Sequence, residues 1–311
     1  MDAAGLLEQL EAYWLFERHF KPSTAKAYRR EVDAFLRWLA EQPLEAPDLL
    51  GRLRAVDERL AARYIAAEQK RHGKTGGGER VPAFLHRKIY ALRSLYDGLT
   101  WMGVRVRNPF ARLHPPEDDR VPGYLLPSEV RRLLDAIRQG RGLTERERAY
   151  FEWTGPRDLA IVTLSLYQGL ALRELCGLDV DDVDLEAEQL RIKGRRHLLP
   201  LHPASKDAVA AYLQKRPPAA VPALFLTVRG DRVAPRTVER VVSTWAQRAG
   251  IRANVKLLRS TFAAHLTAQT NLETDVLAEL LGYRNPQHVE RYRQAALELK
   301  RQALRSLTYN W

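Results

Sequence analysis

Apolar residues recur at helical spacing through most of the chain. After Lys21-Pro22-Ser23-Thr24, which offers a Ser or Thr cap, they fall at Tyr28, Val32, Phe35, Leu36 and Leu39, so a helix is predicted there. A second helix is predicted from about Ala83 to Met102, with Leu85, Ile89, Leu92, Tyr96 and Leu99 on one face. Asn108-Pro109 ends this helical block. Residues 114–123, with two prolines, an acidic run and a Pro-Gly, read as an interdomain linker. A helix then opens at Pro127-Ser128-Glu129 and continues through Val130, Leu133, Leu134 and Ile137. The apolar stretch Leu159–Leu172, broken by Gln168, is too short to span a bilayer and belongs to a buried helix from Arg157 to about Gln168. Another helix begins near Leu172. The pattern then changes. Val183-Asp184-Leu185, Gln189-Leu190-Arg191-Ile192 and His197-Leu198-Leu199-Pro200-Leu201 are short and separated by turn or charged residues, which predicts a small antiparallel sheet. Helices are predicted again over 206–213, 235–249, 257–267, 273–281 and 288 to about 307. No internal repeat or low-complexity tract interrupts them.

Composition narrows the class. A chain of 311 residues suits two domains, and a hydrophobic fraction of 45% is ordinary for a globular protein. The formal charge of +12 points to a polyanionic partner, nucleic acid being the commonest, against the plainer reading of a well-solvated basic surface. Both halves of the chain are basic. The basic residues are 40 arginines and 10 lysines; arginine suits bidentate phosphate contacts, although a GC-rich genome gives the same bias. Cys176, the one cysteine, excludes an internal disulfide and a cysteine-based zinc site and fits a reducing compartment. Met1-Asp2-Ala3-Ala4 has no positively charged start and no long apolar run, so no signal peptide is expected. Secreted, membrane and disulfide-rich classes are set aside. Gly73-Lys74-Thr75-Gly76-Gly77-Gly78 reads as a flexible loop and lacks the spacing and preceding strand of a nucleotide-binding loop. His197, His202 and His288 do not meet carboxylates at metal-ligand spacing, so no metal is expected.

The informative residues lie late in the chain. Lys256 and Arg259 share one helical face. Leu280-Leu281-Gly282-Tyr283 closes a helix on a glycine, Tyr292 follows, and Lys193-Gly194 sits on a turn between two predicted strands. In this order and spacing the set resembles the tyrosine recombinase (phage integrase) family, in its Xer-like form. The resemblance covers nearly the whole chain. Residues 1–113 look like a helical core-binding, SAM-like DNA-binding domain, 114–123 like the linker, and 124–311 like the catalytic domain. The fold class it implies is mainly α, formally α+β, with a small antiparallel sheet in the second domain. The implied chemistry is attack of a tyrosine hydroxyl on a DNA phosphodiester, giving a 3′-phosphotyrosine and a free 5′-hydroxyl. It requires no cofactor, because the covalent bond conserves the phosphodiester energy.

Carried over residue by residue, the resemblance makes Tyr292 the nucleophile, Arg259 an arginine of the phosphate clamp and Lys193 the general acid on the hairpin. Lys256 stands where the family has His or Lys, and Tyr283 where it usually has His or Trp. One position departs. In Gly169-Leu170-Ala171-Leu172-Arg173-Glu174-Leu175, Glu174 and Leu175 fix the register and Ala171 replaces the family's first clamp arginine. Arg173, about 200° further round a helix, is the candidate replacement. Losing one such donor costs about 3–4 kcal/mol of transition-state stabilisation. The resemblance therefore implies a site-specific recombinase of reduced activity. The alternatives are a DNA-binding architectural homologue that no longer cleaves, and a type IB topoisomerase-like relaxing activity. Lys26, Arg29, Arg30, Arg87, Lys88, Arg195, Arg196 and Arg236 are candidate DNA backbone contacts, which position a protein without reading sequence. The expected partner is double-stranded DNA, with no membrane. A homo-oligomer is expected, monomeric or dimeric when free and tetrameric on synapsed DNA, in a cytoplasmic, nucleoid-associated setting. The apolar stretch Leu299–Trp311 is a candidate for docking on a neighbouring subunit or packing on its own domain.

Overall fold

The computed structural model describes residues 2–74, 81–114, 121–283 and 285–305. Most of the expected linker, much of the Gly73–Gly78 loop and the end of the Leu299–Trp311 stretch lie outside the described residues. The chain forms two compact units, Met1–Asp119 and Arg120–Trp311.

The first unit is helical. Helix α1 (Ala3–Ala12) starts on Asp2, whose carboxylate accepts the Gly5 N–H at 2.9 Å, and runs into a π-helical turn, Tyr13–Glu17. Helix α2 (Pro22–Ala40) has Pro22 in its first turn, where a missing N–H costs nothing. Helices α3 (Leu49–Arg54), α4 (Glu58–Lys74) and α5 (Val81–Trp101) complete it. The stripes expected on α2 and α5 meet there: Val32, Phe35 and Leu39 pack with Leu92, Tyr96 and Leu99. Arg52 closes the C-terminus of α2, donating to the carbonyls of Leu39, Ala40, Gln42 and Leu44. The glycine loop begins later than expected, because α4 runs on through Lys74. Lys88 is not a surface cation. It is buried, its ammonium 2.9 Å from Glu31, 3.1 Å from Glu68 and 3.2 Å from the Tyr64 hydroxyl, as a buried charge must be. Arg29 and Arg87 are paired with Glu11 and Glu31, while Lys26 and Arg30 are exposed.

The second unit is built around α8 (Phe151–Tyr167), buried along most of its length. Around it pack α6 (Pro127–Arg138), α10 (Pro203–Lys215), α11 (Pro235–Arg248) and α12 (Val255–Gln269). Helix α8 starts earlier than the expected Arg157 and carries Gly155-Pro156 near its beginning. Arg157 and Asp158, buried on α8, pair through two Arg157 nitrogens that donate to Oδ1 of Asp158; Arg157 also donates to the Leu226 carbonyl, and Oδ2 of Asp158 accepts the Trp245 indole N–H at 2.8 Å. The short α7 (Glu145–Arg148) precedes α8, and α9 (Leu172–Gly177) follows it. The sheet has the order β1-β2-β3, antiparallel, from β1 (Val183–Asp184), β2 (Gln189–Leu190) and β3 (Leu199–Pro200), with Val183 opposite Leu190 and Leu190 opposite Leu199. Helices α13 (Thr274–Leu281) and α14 (Gln287–Arg305) pack on α12 and enclose a small core of their own with Ala263, Leu277, Leu281 and Val289. Among the described residues no helix is long and apolar enough to cross a membrane.

Candidate active site

Helix α12 is the base of the site. Asn254 caps it, accepting the Leu257 N–H at 2.8 Å, and so fixes where Lys256, Arg259 and Ser260 point. The Arg259 side chain is 12% exposed. It donates to the Gly169 carbonyl at 3.0 Å, to Glu174 at 3.4 Å and to the Leu281 carbonyl, and its guanidinium lies 4.9 Å from the centre of the Tyr283 ring. Gly169 has φ of +62°, and a Cβ there would come within 2.5 Å of Phe262. The tight turn after α8 thus sets the carbonyl that holds Arg259.

Gly282 ends α13 in the left-handed region, which turns the chain so that Tyr283 folds back toward α14. The Tyr283 and Tyr292 hydroxyls lie 3.2 Å apart. Tyr292 is only 4% exposed, among the side chains of the small α12–α14 core. Burial pushes its phenol up to about 12; the Tyr283 phenol adds to this, and the Ser260 hydroxyl and the Arg259 charge oppose it. Tyr292, Tyr283 and Arg259 therefore form one constellation.

Beside it a cavity of about 920 Å³ is lined by Ala171, Arg236, Arg240, Lys256 and Arg259, with Glu239 as its acidic member. Four cations against one carboxylate give the cavity a positively charged lining. Arg240 was not singled out from the sequence, although it follows Arg236 by one helical turn on α11. Ala171 is the N-cap residue of α9 and opens onto this cavity. Arg173, in the first turn of α9, is exposed, and among the described residues the guanidiniums bonded to Glu174 are those of Arg195 and Arg259, so the structure does not bring Arg173 to Arg259.

The hairpin residues are placed differently from expectation. Lys193, 59% exposed, pairs with Asp179 at 2.6 Å. Arg232 and then Lys193 hold the Asp179 carboxyl below its ordinary range. This keeps Lys193 on Asp179 and not with the tyrosines. Arg195, a candidate DNA backbone contact, has a side chain only 9% exposed. It grips Glu174 through Nε at 2.7 Å and Nη2 at 2.9 Å and donates from Nη1 to the Leu280 carbonyl at 2.7 Å. Arg196 and Arg236 are exposed. Glu174, read in sequence only as a register mark, accepts from Arg195, Arg259 and the Ala171 N–H at 2.6 Å. Its place in the third residue of a helix, where a carboxylate reaches back to the N-cap, is the signal that could have found it.

A buried phenol beside an arginine fixed by backbone carbonyls, on a helical domain with a three-stranded sheet, defines the class of the tyrosine recombinases. Residues 124–298 match the model of the phage integrase family. The chain belongs to that family. It is 29% identical over 303 residues to the tyrosine recombinase XerC of Pelobacter propionicus, covering 94% of this chain and 92% of that one. It is 27% identical to the tyrosine recombinase XerD of Mycobacterium leprae, covering 91% of each. Among solved structures, XerH recombinase bound to a palindromic difH substrate in a post-cleavage complex superposes with a TM-score of 0.71 at 16% identity, over 96% of this chain and 84% of that one. A lambda integrase tetramer bound to a Holliday junction gives 0.65 at 15% identity, over 99% and 79%. These last two likenesses concern the fold.

Proposed function

We propose that the chain is a site-specific DNA recombinase that cleaves and rejoins strands through Tyr292. The observation that carries this reading is the joining of Tyr292, Tyr283 and Arg259 beside a cavity rich in cations. In the proposed step the Tyr292 oxygen attacks phosphorus in line. A P–O(tyrosine) bond forms and the P–O5′ bond breaks. The phenolic proton passes to solvent water, and the departing 5′-oxygen takes a proton from Lys193 once that ammonium has left Asp179. Arg259 neutralises charge gathering on the nonbridging oxygens, Lys256 and Arg236 contact the phosphate or its neighbours, and Tyr283 donates a hydrogen bond. The first unit, with Lys26 and Arg30 exposed, serves as the core-binding half, and synapsis assembles protomers on two duplexes.

Ala171 supports a second reading, in which the chain binds DNA without cleaving it. One experiment separates them. The protein is mixed with a library of nicked duplexes carrying randomised arms, and covalent complexes are recovered after denaturation. An adduct that disappears in Tyr292→Phe supports strand transfer. Tight, salt-sensitive retention of duplex with no adduct supports the binding protein. If an adduct forms, Lys193→Ala should slow its formation, and a 5′-bridging sulfur at the scissile position should restore the rate, because a thiolate leaves without needing a proton.

A further inference from the structure

Two guanidiniums in this site share one carboxylate. Arg195, from the β2–β3 hairpin, and Arg259, from α12, both donate to Oε2 of Glu174, at 2.9 and 3.4 Å, so these two donor nitrogens are separated by no more than the sum of those distances. Each also donates to one of two consecutive carbonyls at the end of α13, Leu280 for Arg195 and Leu281 for Arg259. Neither is a surface side chain. Two positive charges and one negative charge leave an excess of one positive charge in a largely desolvated place, which an arriving anion relieves. Three of the five N–H groups of Arg195 are used in these bonds, which leaves one hydrogen on each terminal nitrogen for a further acceptor.

The backbone makes room for this guanidinium. A Cβ on Gly282 would lie 2.9 Å from Cζ of Arg195, so the residue before Tyr283 is one that leaves the fork its space. The Ala171 N–H, on the same carboxylate oxygen, ties the position of the missing arginine to the same node.

We propose that Arg195 supplies the second guanidinium of the phosphate clamp, in place of an arginine at position 171. The proposal rests on the strand-transfer reading above. In the substrate complex the scissile phosphate would sit against both forks, with Glu174 holding them parallel. Arg173 has no part in it.

The test compares two forms of the nicked duplex recovered from the library, one with an ordinary scissile phosphate and one with a methylphosphonate, which lacks the charged nonbridging oxygen. Arg195→Ala is expected to slow adduct formation on the ordinary phosphate on the order of 100-fold. On the methylphosphonate its loss should be under about tenfold, because little charge remains to be neutralised. Arg195→Ala combined with Ala171→Arg should recover most of the rate on the ordinary phosphate. An Arg195→Ala variant that cleaves the ordinary phosphate like the parent overturns the proposal. So does an equal loss on both substrates, which would mark Arg195 as a support of the fold. If the parent chain forms no adduct, the strand-transfer reading fails and this proposal falls with it. If the parent forms one and Arg195→Ala leaves it undiminished, this proposal alone fails.

Discussion

Glu174→Gln isolates the electrostatics of the site with little change of shape. The glutamine keeps a carbonyl oxygen for the Ala171 N–H, so the start of α9 survives. What it removes is the negative charge between Arg195 and Arg259, whose side chains are 9% and 12% exposed. Removing one partner of a buried ion pair costs about 3–5 kcal/mol. Glu174 is itself 21% exposed, so water screens part of the repulsion and the lower end, about 3 kcal/mol, applies. For a unit of this size that lowers the melting temperature by about 6–12 °C. Scanning calorimetry of the full chain reads it directly. Adduct formation should fall about 100-fold, the order expected when a clamp is displaced by about 1 Å. A melting temperature within about 2 °C of the parent, roughly half a kcal/mol, would show that Glu174 is not the counter-charge of the two arginines and would refute the shared-carboxylate argument.

Three further outcomes follow from the same geometry. Gly169→Ala places a methyl 2.5 Å from Phe262 at a φ of +62°, so it should destabilise by about 2 kcal/mol or more in a denaturant melt and lower cleavage by shifting the carbonyl that holds Arg259. The Arg248 fork and the Thr144 cap hold Glu147 down to about 2 in the folded chain, against 4.5 for the free group. Its stabilising share is therefore present above pH 4.5 and lost as pH falls toward 2, so Glu147→Gln should flatten the acid limb of a stability profile; an unchanged limb would remove Glu147 from that account. Ultraviolet titration should find the Tyr292 phenol ionising near 12, and Tyr283→Phe should lower that point because it removes a neighbour that raises it; a Tyr292 that titrates like free tyrosine would contradict its burial.

Much of the fold is legible in the sequence where one face of a helix is apolar, as on α2 and α5. Helix α4 is harder to see because its charged residues blur its stripe, and the start of α8 is masked by Gly155-Pro156, which tertiary packing overrides. Of the site, Arg259, Gly282, Tyr283 and Tyr292 are visible through the family resemblance that their order and spacing carry. The placement of Lys193 and Arg195 is not. They are two residues apart on a short hairpin, both basic, and only the positions of Asp179 and Glu174 in space send one outward and the other in. The same holds for Lys88, whose burial depends on Glu31 and Glu68 arriving from other helices.

The last two carbonyls of α13 give the site a mechanical property. They hold Arg195 and Arg259, and the same stretch of chain passes through Gly282 and Tyr283 into α14, which carries Tyr292. Both guanidiniums and the Tyr292 phenol thus hang on one short stretch of chain. A displacement of α14 that drew Tyr292 out of its core would act on the chain segment whose carbonyls hold both forks. In the resting chain the Tyr292 phenol is buried and both guanidiniums are engaged by Glu174 and by the end of α13, so the three side chains share one support.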